Sequence, residues 1–243
     1  MREGMKKTMN VNQLSDRLAV VADYLPKGAR FADIGSDHAY LPCYVCLKDE
    51  SASAVAGEVN QGPFQSAVDE VQTQNLEARI DVRLGNGLEV IQPEDGIQQI
   101  TIAGMGGPLI RDILEQGKDK LDSVERIITQ PNIDAKALRL WYIANGYELI
   151  EEQILEENGH IYEVLVAEKG EPERPYTSNK EKELWLGPFL LSERNDAFIQ
   201  KCKEEKQKKE YVLSQVKRAA RFDEEKIARL QQEIDWLKEE LGS

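Results

Sequence analysis

The stretch Phe31-Ala32-Asp33-Ile34-Gly35-Ser36-Asp37-His38-Ala39-Tyr40 narrows the fold more than any other part of the chain. A short apolar run ends in a glycine, and a helical segment follows with Pro42 suited to its first turn. A buried strand that feeds a helix through a tight turn is the opening unit of a doubly wound α/β sheet. Ligands of such sheets sit at the carboxyl ends of the strands. The dinucleotide fingerprint G-x-G-x-x-G is absent. Gly35 supplies its first glycine, but Asp37 and Ala39 fill the later small-residue positions. A pyrophosphate favours backbone N–H groups with no negative charge nearby, so Asp33 and Asp37 disfavour a dinucleotide. Two carboxylates beside a glycine turn suit a ligand that carries positive charge and hydroxyl groups. S-adenosylmethionine, with its amino group, sulfonium and ribose, has that chemistry.

The rest of the chain keeps the alternation. Apolar spacing predicts a helix over 12–24, capped by Asn12 or Ser15 and ended by Pro26-Lys27-Gly28. Strands are predicted over 29–34, 52–57, 80–84, 100–103 and 124–129. Helices are predicted after Tyr40 and over 62–75, 108–115 and 135–145. An antiparallel pair, 147–155 and 161–167, closes the series through a turn at 156–159. Strand–helix alternation specifies a mostly parallel sheet covered on both faces, here with an antiparallel edge strand. The polar, proline-bearing segment Gly170-Glu171-Pro172-Glu173-Arg174-Pro175 then reads as a linker. Beyond it, Ile227, Leu230, Ile234, Leu237 and Leu241 form a coiled-coil seam, and Leu190, Leu191, Phe198, Val212 and Val216 a looser one. We therefore expect an α/β domain over 1–169. Over 170–243 we expect a linker and a helical coiled-coil hairpin that turns near Arg221-Phe222-Asp223.

No apolar run approaches the ~18 residues that span a bilayer. The basic start Met1-Arg2-Glu3-Gly4-Met5-Lys6-Lys7 has no apolar stretch behind it, so no secretory signal is expected. Cys43, Cys46 and Cys202 are too few and too scattered for a disulfide framework, which fits a reducing, cytoplasmic setting. Cys43-Tyr44-Val45-Cys46 has no second ligand pair for zinc and lies on a sheet-packing helix. Buried, inert thiols are the expectation, and no metal. The net charge is −13, a poor match to a polyanion. Between 200 and 221, however, Lys201, Lys203, Lys206, Lys208, Lys209, Lys217, Arg218 and Arg221 face only Glu204, Glu205 and Glu210. Such a stretch either steers RNA to one face of an acidic protein or is simply a solvated helix.

Glu58 follows the second predicted strand, 23 positions after Gly35, where an acidic side chain accepts from ribose hydroxyls; the plainer reading is a helix N-terminal acid. Asn86 and Gly87, after the third strand, are placed to touch an adenine ring or serve only as a Gly-Asn-Gly turn. Ala103-Gly104-Met105-Gly106-Gly107 after the fourth strand lets a ligand approach the backbone, and Gln130-Pro131-Asn132 ends the fifth strand on the same rim with uncharged amides. His38 is expected to hold the first turn rather than act as a general base. His160 falls in the predicted hairpin turn.

Asp33 to Pro42, Ala103 to Gly107, Gln130-Pro131-Asn132 and the early Leu14-Ser15-x-Arg17-Leu18 resemble the bacterial TrmK family over nearly the whole chain. That resemblance implies a Rossmann-like class I methyltransferase that uses S-adenosylmethionine to methylate N1 of adenosine 22 in tRNA. It implies that Asp33, Gly35, Ser36, Asp37, His38, Glu58, Asn86 and Gly87 line the cofactor site. It places Gly104, Met105, Gly106, Gly107, Gln130, Pro131 and Asn132 beside the target base. Carbonyls of the 104–107 loop are then expected to accept from the exocyclic amine, with Arg17 and the basic helix on phosphates. Two alternatives stay open: a small-molecule methyltransferase of the same fold, and a non-catalytic coiled-coil adaptor that keeps a nucleotide-binding fold.

Overall fold

The computed structural model describes residues 10–218 and 223–242. Five parallel strands, β1 (Arg30–Ile34), β2 (Ser53–Glu58), β3 (Ile80–Leu84), β4 (Gln99–Met105) and β5 (Arg126–Pro131), join β6 (Tyr147–Glu157) and β7 (His160–Lys169) in one sheet. The order is β3-β2-β1-β4-β5-β7-β6. β7 runs antiparallel to both β5 and β6. The antiparallel strand is therefore inserted inside the sheet, and β6 takes the edge. A tight hairpin makes β6 and β7 neighbours: Asn158 and Gly159, both at positive φ, turn the chain straight back. His160 is consequently the first residue of β7 rather than part of the turn.

β1 shows how one strand serves two layers. Ala32 and Ile34 enter a core with Ile100, Ile102, Ile110, Leu114 and Leu138. Phe31 enters the opposite core with Cys43, Cys46, Ala67 and Val71. Helices α4 (Gly107–Gln116) and α5 (Ala135–Ala144) cover the first face, and α2 (Tyr40–Lys48) and α3 (Gln61–Thr73) the second. Period-2 side-chain alternation on a strand buried on both faces produces this arrangement. α1 (Asp16–Asp23), with Leu14 just ahead of it, lays Leu14, Val21 and Ala22 over Ile128, Val164 and Val166. Its cap is Ser15, whose side chain accepts from the Leu18 N–H, so the helix starts later than the apolar spacing predicts.

After β7 come α6 (Lys180–Leu186), α7 (Pro188–Glu193), α8 (Asp196–Arg218) and α9 (Glu224–Leu241). Leu213 packs with Leu230 and Ile234, while Phe198 and Cys202 pack with Leu237. Low numbers on α8 thus meet high numbers on α9, the pairing of an antiparallel hairpin. Val212, expected in the seam, is largely exposed, and Leu213 takes its place. Asp223 caps α9 by accepting from the Lys226 N–H at 3.0 Å; Arg221 and Phe222 lie outside the described residues. The predicted linker is pinned to the sheet, with the Gly170 N–H on the Gly146 carbonyl and Arg174 paired to Glu148 at 2.7 Å.

The hairpin is fastened by charge as well as by apolar contact. Arg139 of α5 is fully buried. It pairs with Glu152 of β6 at 2.5 Å and Glu163 of β7 at 2.7 Å, and it donates to the Leu184 and Trp185 carbonyls of α6. Glu163 also pairs with Lys201 of α8 at 2.6 Å. Desolvation opposes the charge on Arg139, but its two carboxylates outweigh it and hold the guanidinium firmly protonated. Replacing Arg139 with Met keeps the apolar volume and leaves Glu152 buried without its cation. The expected loss is about 3–5 kcal/mol in urea denaturation; a loss under about 1 kcal/mol would mean that Glu152 finds water.

Candidate functional site

At the carboxyl end of β1 the chain adopts a conformation that few sequences tolerate. After Gly35 (φ 72°), Asp37, His38 and Ala39 follow with φ of 40°, 65° and 54°. Three consecutive non-glycine residues stand in the left-handed region, at a cost of roughly 1–2 kcal/mol each. Asp37 and Ala39 are the positions where a dinucleotide fingerprint would carry small residues, so the turn keeps a glycine-type backbone without glycines.

Carboxylates on two strands hold it. Asp33 is buried and accepts from Ser36 Oγ and Thr101 Oγ1, both at 2.6 Å. Glu58 is buried at the end of β2 and accepts from the Asp37 N–H. Desolvation raises the Glu58 pKa, against the lowering effect of that N–H. His38 stacks on Tyr40 with centroids 5.3 Å apart and lies 3.6 Å from the Asp37 carboxylate, a place that braces the turn. Asn86 is exposed at the end of β3, and Gly87 (φ 55°) lies against Ile113 of α4, with a recess of about 40 Å³ between those segments. Asp33, Gly35, Ser36, Asp37, His38, Glu58, Asn86 and Gly87 therefore share the carboxyl rim.

The second group of predicted residues meets the first across the same rim. β4 runs on to Met105, with a break in register between Ala103 and Met105, so Gly104 and Met105 belong to the strand rather than to a following loop. Gln130 and Pro131 likewise lie within β5, which starts at Arg126 rather than at 124. Gly104 (φ 77°) makes the bulge possible. A Cβ on Gly35 would stand 2.2 Å from Met105 Cε, so Met105 folds directly over the first turn. A Cβ on Gly107 would meet the Asp134 carbonyl oxygen at 2.1 Å, which fixes glycine where α4 begins against the β5 loop.

The two rim segments are stitched together. The Asn132 N–H donates to the Met105 carbonyl at 2.7 Å and Asn132 Nδ2 to the Gly104 carbonyl at 2.8 Å. The Gly107 N–H donates to the Ile133 carbonyl at 2.8 Å, and the Gly106 carbonyl takes the Ile110 N–H. The carbonyls expected to meet an exocyclic amine thus already have donors. Gln130 is fully buried. Arg17, expected on phosphates, is 24% exposed and is engaged within the protein. Its Nη1 donates to Gln130 Oε1 at 2.6 Å, and its guanidinium lies 5.4 Å from the Tyr162 ring centre.

A groove of about 640 Å³ leads from Asn132 and Ile133 past Tyr162 and Trp185 to Lys201 and Lys208. Part of the basic stretch along it is neutralised: Lys201 by Glu163, Lys208 by Glu205 at 3.1 Å and Lys209 by Glu233 at 2.6 Å. Lys203, Lys206, Lys217 and Arg218 have no acidic partner among the described residues. Cys43 and Cys46 are buried, and burial pushes their thiols up to about 12 and about 11. Among the described residues no cluster of His, Cys, Asp and Glu is arranged to hold a metal, and no helix is long and apolar enough to cross a membrane.

A profile of tRNA (adenine(22)-N(1))-methyltransferases, TrmK, matches residues 31–239. The Bacillus subtilis (strain 168) enzyme of that name is 47% identical over 234 residues, covering 95% of this chain and 98% of the relative. This chain belongs to the TrmK family. The crystal structure of the B. subtilis m1A22 tRNA methyltransferase TrmK superposes with a TM-score of 0.89 at 46% identity, covering 95% of this chain and 99% of that one. Streptococcus pneumoniae Sp1610, solved in complex with S-adenosyl-L-methionine, superposes with a TM-score of 0.83 at 41% identity, covering 94% of this chain and 100% of that one. A TrmK architecture thus stands where the sequence placed a class I methyltransferase.

Sequence reasoning missed Thr101, a polar residue inside the apolar run Ile100-Thr101-Ile102, and that interruption was the available signal. It also missed the bond from Arg17 to Gln130, which joins residues 113 positions apart. Burial raises the Asp33 pKa to about 6 from its ordinary 3.8, against the lowering effect of its two hydroxyl donors. The folded chain therefore holds this proton more tightly than the unfolded chain. Ionising Asp33 costs stability as pH rises from about 4 to about 6, and the cost is complete above that window. Asp33→Asn removes the proton. Relative to wild type, the variant should gain up to about 3 kcal/mol between pH 4 and pH 7.5, measured by urea denaturation. Parallel curves at the two pH values would show that Asp33 ionises without cost.

Proposed function

We propose that this chain transfers a methyl group from S-adenosylmethionine to N1 of adenosine 22 in tRNA, in the cytoplasm. The observation that carries the reading is the shared rim: a carboxylate-braced left-handed turn on β1 and β2 directly under Met105, with a neutral amide cluster beside it. Its chemistry suits the cofactor. The Glu58 carboxylate stands where ribose hydroxyls would donate, and Asn86 and Gly87 stand where an adenine would lie, against Ile113. Asp37 is exposed, ready for a positive charge. S-adenosylmethionine, when bound, supplies an electrophilic methyl on a sulfonium.

The protein's own task is positioning. N1 of adenine is neutral and has a free lone pair, so no base has to remove a proton before attack. Position 22 lies stacked inside folded tRNA and must be turned out to reach the rim. Met105 to Gly107 and Gln130 to Asn132 would then frame the everted base. A charged acid or base is absent from that frame, in keeping with a reaction that leaves positive charge on the ring. We assign residues 1–169 to catalysis and residues 170–243 to gripping RNA, with Lys203, Lys206, Lys217 and Arg218 as the cations free to meet phosphates. The family membership and the cofactor-turn chemistry together favour this reading over a small-molecule methyltransferase or an adaptor.

Purified protein, tRNA and methyl-labelled cofactor should yield 1-methyladenosine at position 22 on nucleoside mapping. Glu58→Ala should weaken cofactor binding by about tenfold or more in calorimetry, because charge-assisted hydrogen bonds are removed. Tight NADH binding without any S-adenosylmethionine binding would overturn the assignment. Reversing Lys203, Lys206 and Lys217 to Glu should weaken tRNA binding and lower the magnitude of its log–log salt slope by about 0.7–0.9 for each phosphate no longer neutralised, with cofactor affinity unchanged. A full slope in that variant would move the RNA grip elsewhere and leave the hairpin to dimerisation.

A further inference from the structure

Resting on the activity just proposed, we infer that Arg17, through the buried Gln130, fixes the orientation of the Asn132 amide, and that the Asn132 side-chain oxygen accepts from the 6-amino group of the target adenine.

The chain of amides is determined from both ends. Arg17 Nη1 and the Gly104 N–H both meet the same Gln130 atom, at 2.6 and 3.1 Å. A guanidinium and a backbone N–H can only donate, so that atom must be the oxygen. The Gln130 nitrogen therefore turns outward, where it donates to Asn132 Oδ1 at 3.2 Å. At the other end, the atom of Asn132 that faces the Gly104 carbonyl at 2.8 Å must be nitrogen, because a carbonyl can only accept. Both constraints require the same orientation, and neither amide can flip without facing donor to donor or acceptor to acceptor.

Burial makes the relay rigid. Gln130 is fully buried, so a mispaired amide there has no water to turn to. Arg17 is held on its far side by Glu157 at 3.8 Å and by the Tyr162 ring. Asn132 is exposed, yet its backbone is tied to Met105, the residue that covers the cofactor turn. One lone pair on Oδ1 and one N–H on Nδ2 remain for a ligand. The Watson–Crick edge of adenine offers a 6-amino donor beside the N1 acceptor. Oδ1 can take the amino hydrogen and leave the N1 lone pair free for the methyl carbon. Arg17 would then be a positioning residue. Its cation meets Gln130 and stays two amides away from a ring that becomes positively charged.

The test is a substrate–variant cycle on the full-length protein. The substrates are tRNA with adenosine at position 22 and the same tRNA with purine riboside there, which lacks only the 6-amino group. Wild type should lose about tenfold or more in kcat/KM on purine riboside, the value of one positioned hydrogen bond together with the lower basicity of that ring. Asn132→Ala should be slow on adenosine, and its adenosine-to-purine ratio should shrink by about tenfold relative to wild type. Arg17→Met should shrink the same ratio, while Arg17→Lys, which retains a donor for Gln130, should restore it. Cofactor affinity and thermal midpoint should stay near wild type for Arg17→Lys and Asn132→Ala. If Asn132→Ala discriminates between the two tRNAs as strongly as wild type, the inference falls. It falls equally if Arg17→Met slows both substrates in proportion. If wild-type protein methylates neither tRNA, the activity itself has been misassigned, a separate outcome.

Discussion

The buried carboxylate of Asp33 is the contact on which the rim depends. It anchors Ser36, the residue that leads into the left-handed run at 37–39. Ser36 reaches it from the turn and Thr101 from the neighbouring strand β4, so a single side chain joins the first loop to the strand that ends in Gly104 and Met105. Glu58 repeats the device from β2. Three residues in an unfavourable backbone region persist only where surrounding contacts over-determine them. Here those contacts are two desolvated acids on adjacent parallel strands. The same acids set the chemistry of the turn, because negative charge at that place selects for a cationic ligand and against a pyrophosphate.

A second buried charge links that rim to the C-terminal helices. α5 begins at Ala135, directly after the loop that carries Asn132, and Arg139 lies one helical turn along it. From there the ion pairs run through Glu152 and Glu163 to Lys201 of α8. Burial raises the Glu152 pKa, whereas for Glu163 the charges of Lys201 and Arg139 overcome burial and lower it. Glu163 is therefore the firmly ionised member, shared between the sheet and the helical hairpin. A removed partner in such a network leaves an uncompensated buried charge, so the hairpin is positioned by the sheet rather than hung from a loose linker.

Sequence made the sheet legible because period-2 burial and glycine punctuation are local signals. Gly35 and Asn86 follow their strands and Glu58 ends its own, at spacings that a parallel sheet turns into neighbours, so the shared rim was legible from spacing, while its reading as a cofactor site came from the family resemblance. What escaped was the identity of partners. Gln130 looks like an exposed amide at a strand end and is in fact buried, because β5 continues through Pro131 and Arg17 arrives from a helix more than a hundred residues earlier. Val212 and Leu213 are adjacent, and only the crossing of α8 with α9 decides which of them enters the seam. The basic stretch read either as an RNA-steering run or as a solvated helix, opposed only by Glu204, Glu205 and Glu210 of the same segment. Glu163 and Glu233, which cancel Lys201 and Lys209, come from β7 and α9, and no window of local sequence contains both members of either pair.

On the function proposed above, the charge distribution would let an acidic chain handle a polyanion without a uniformly basic face. Lys201 and Lys209 serve the architecture, holding α8 to β7 and to α9. The unpaired cations Lys203, Lys206, Lys217 and Arg218 are spread along α8. The groove from Asn132 to α8 carries Glu204 and Glu205 as well as lysines, so its walls do not trap phosphate indiscriminately. The unpaired cations lie on the helix, and the amide segment Gln130-Pro131-Asn132 itself carries no charge. A cation beside N1 would oppose the positive charge that methylation creates, and a free carboxylate there would repel the phosphates flanking the target. On the relay inferred above, an uncharged amide at the base, oriented through Gln130 by a cation two residues back, avoids both penalties.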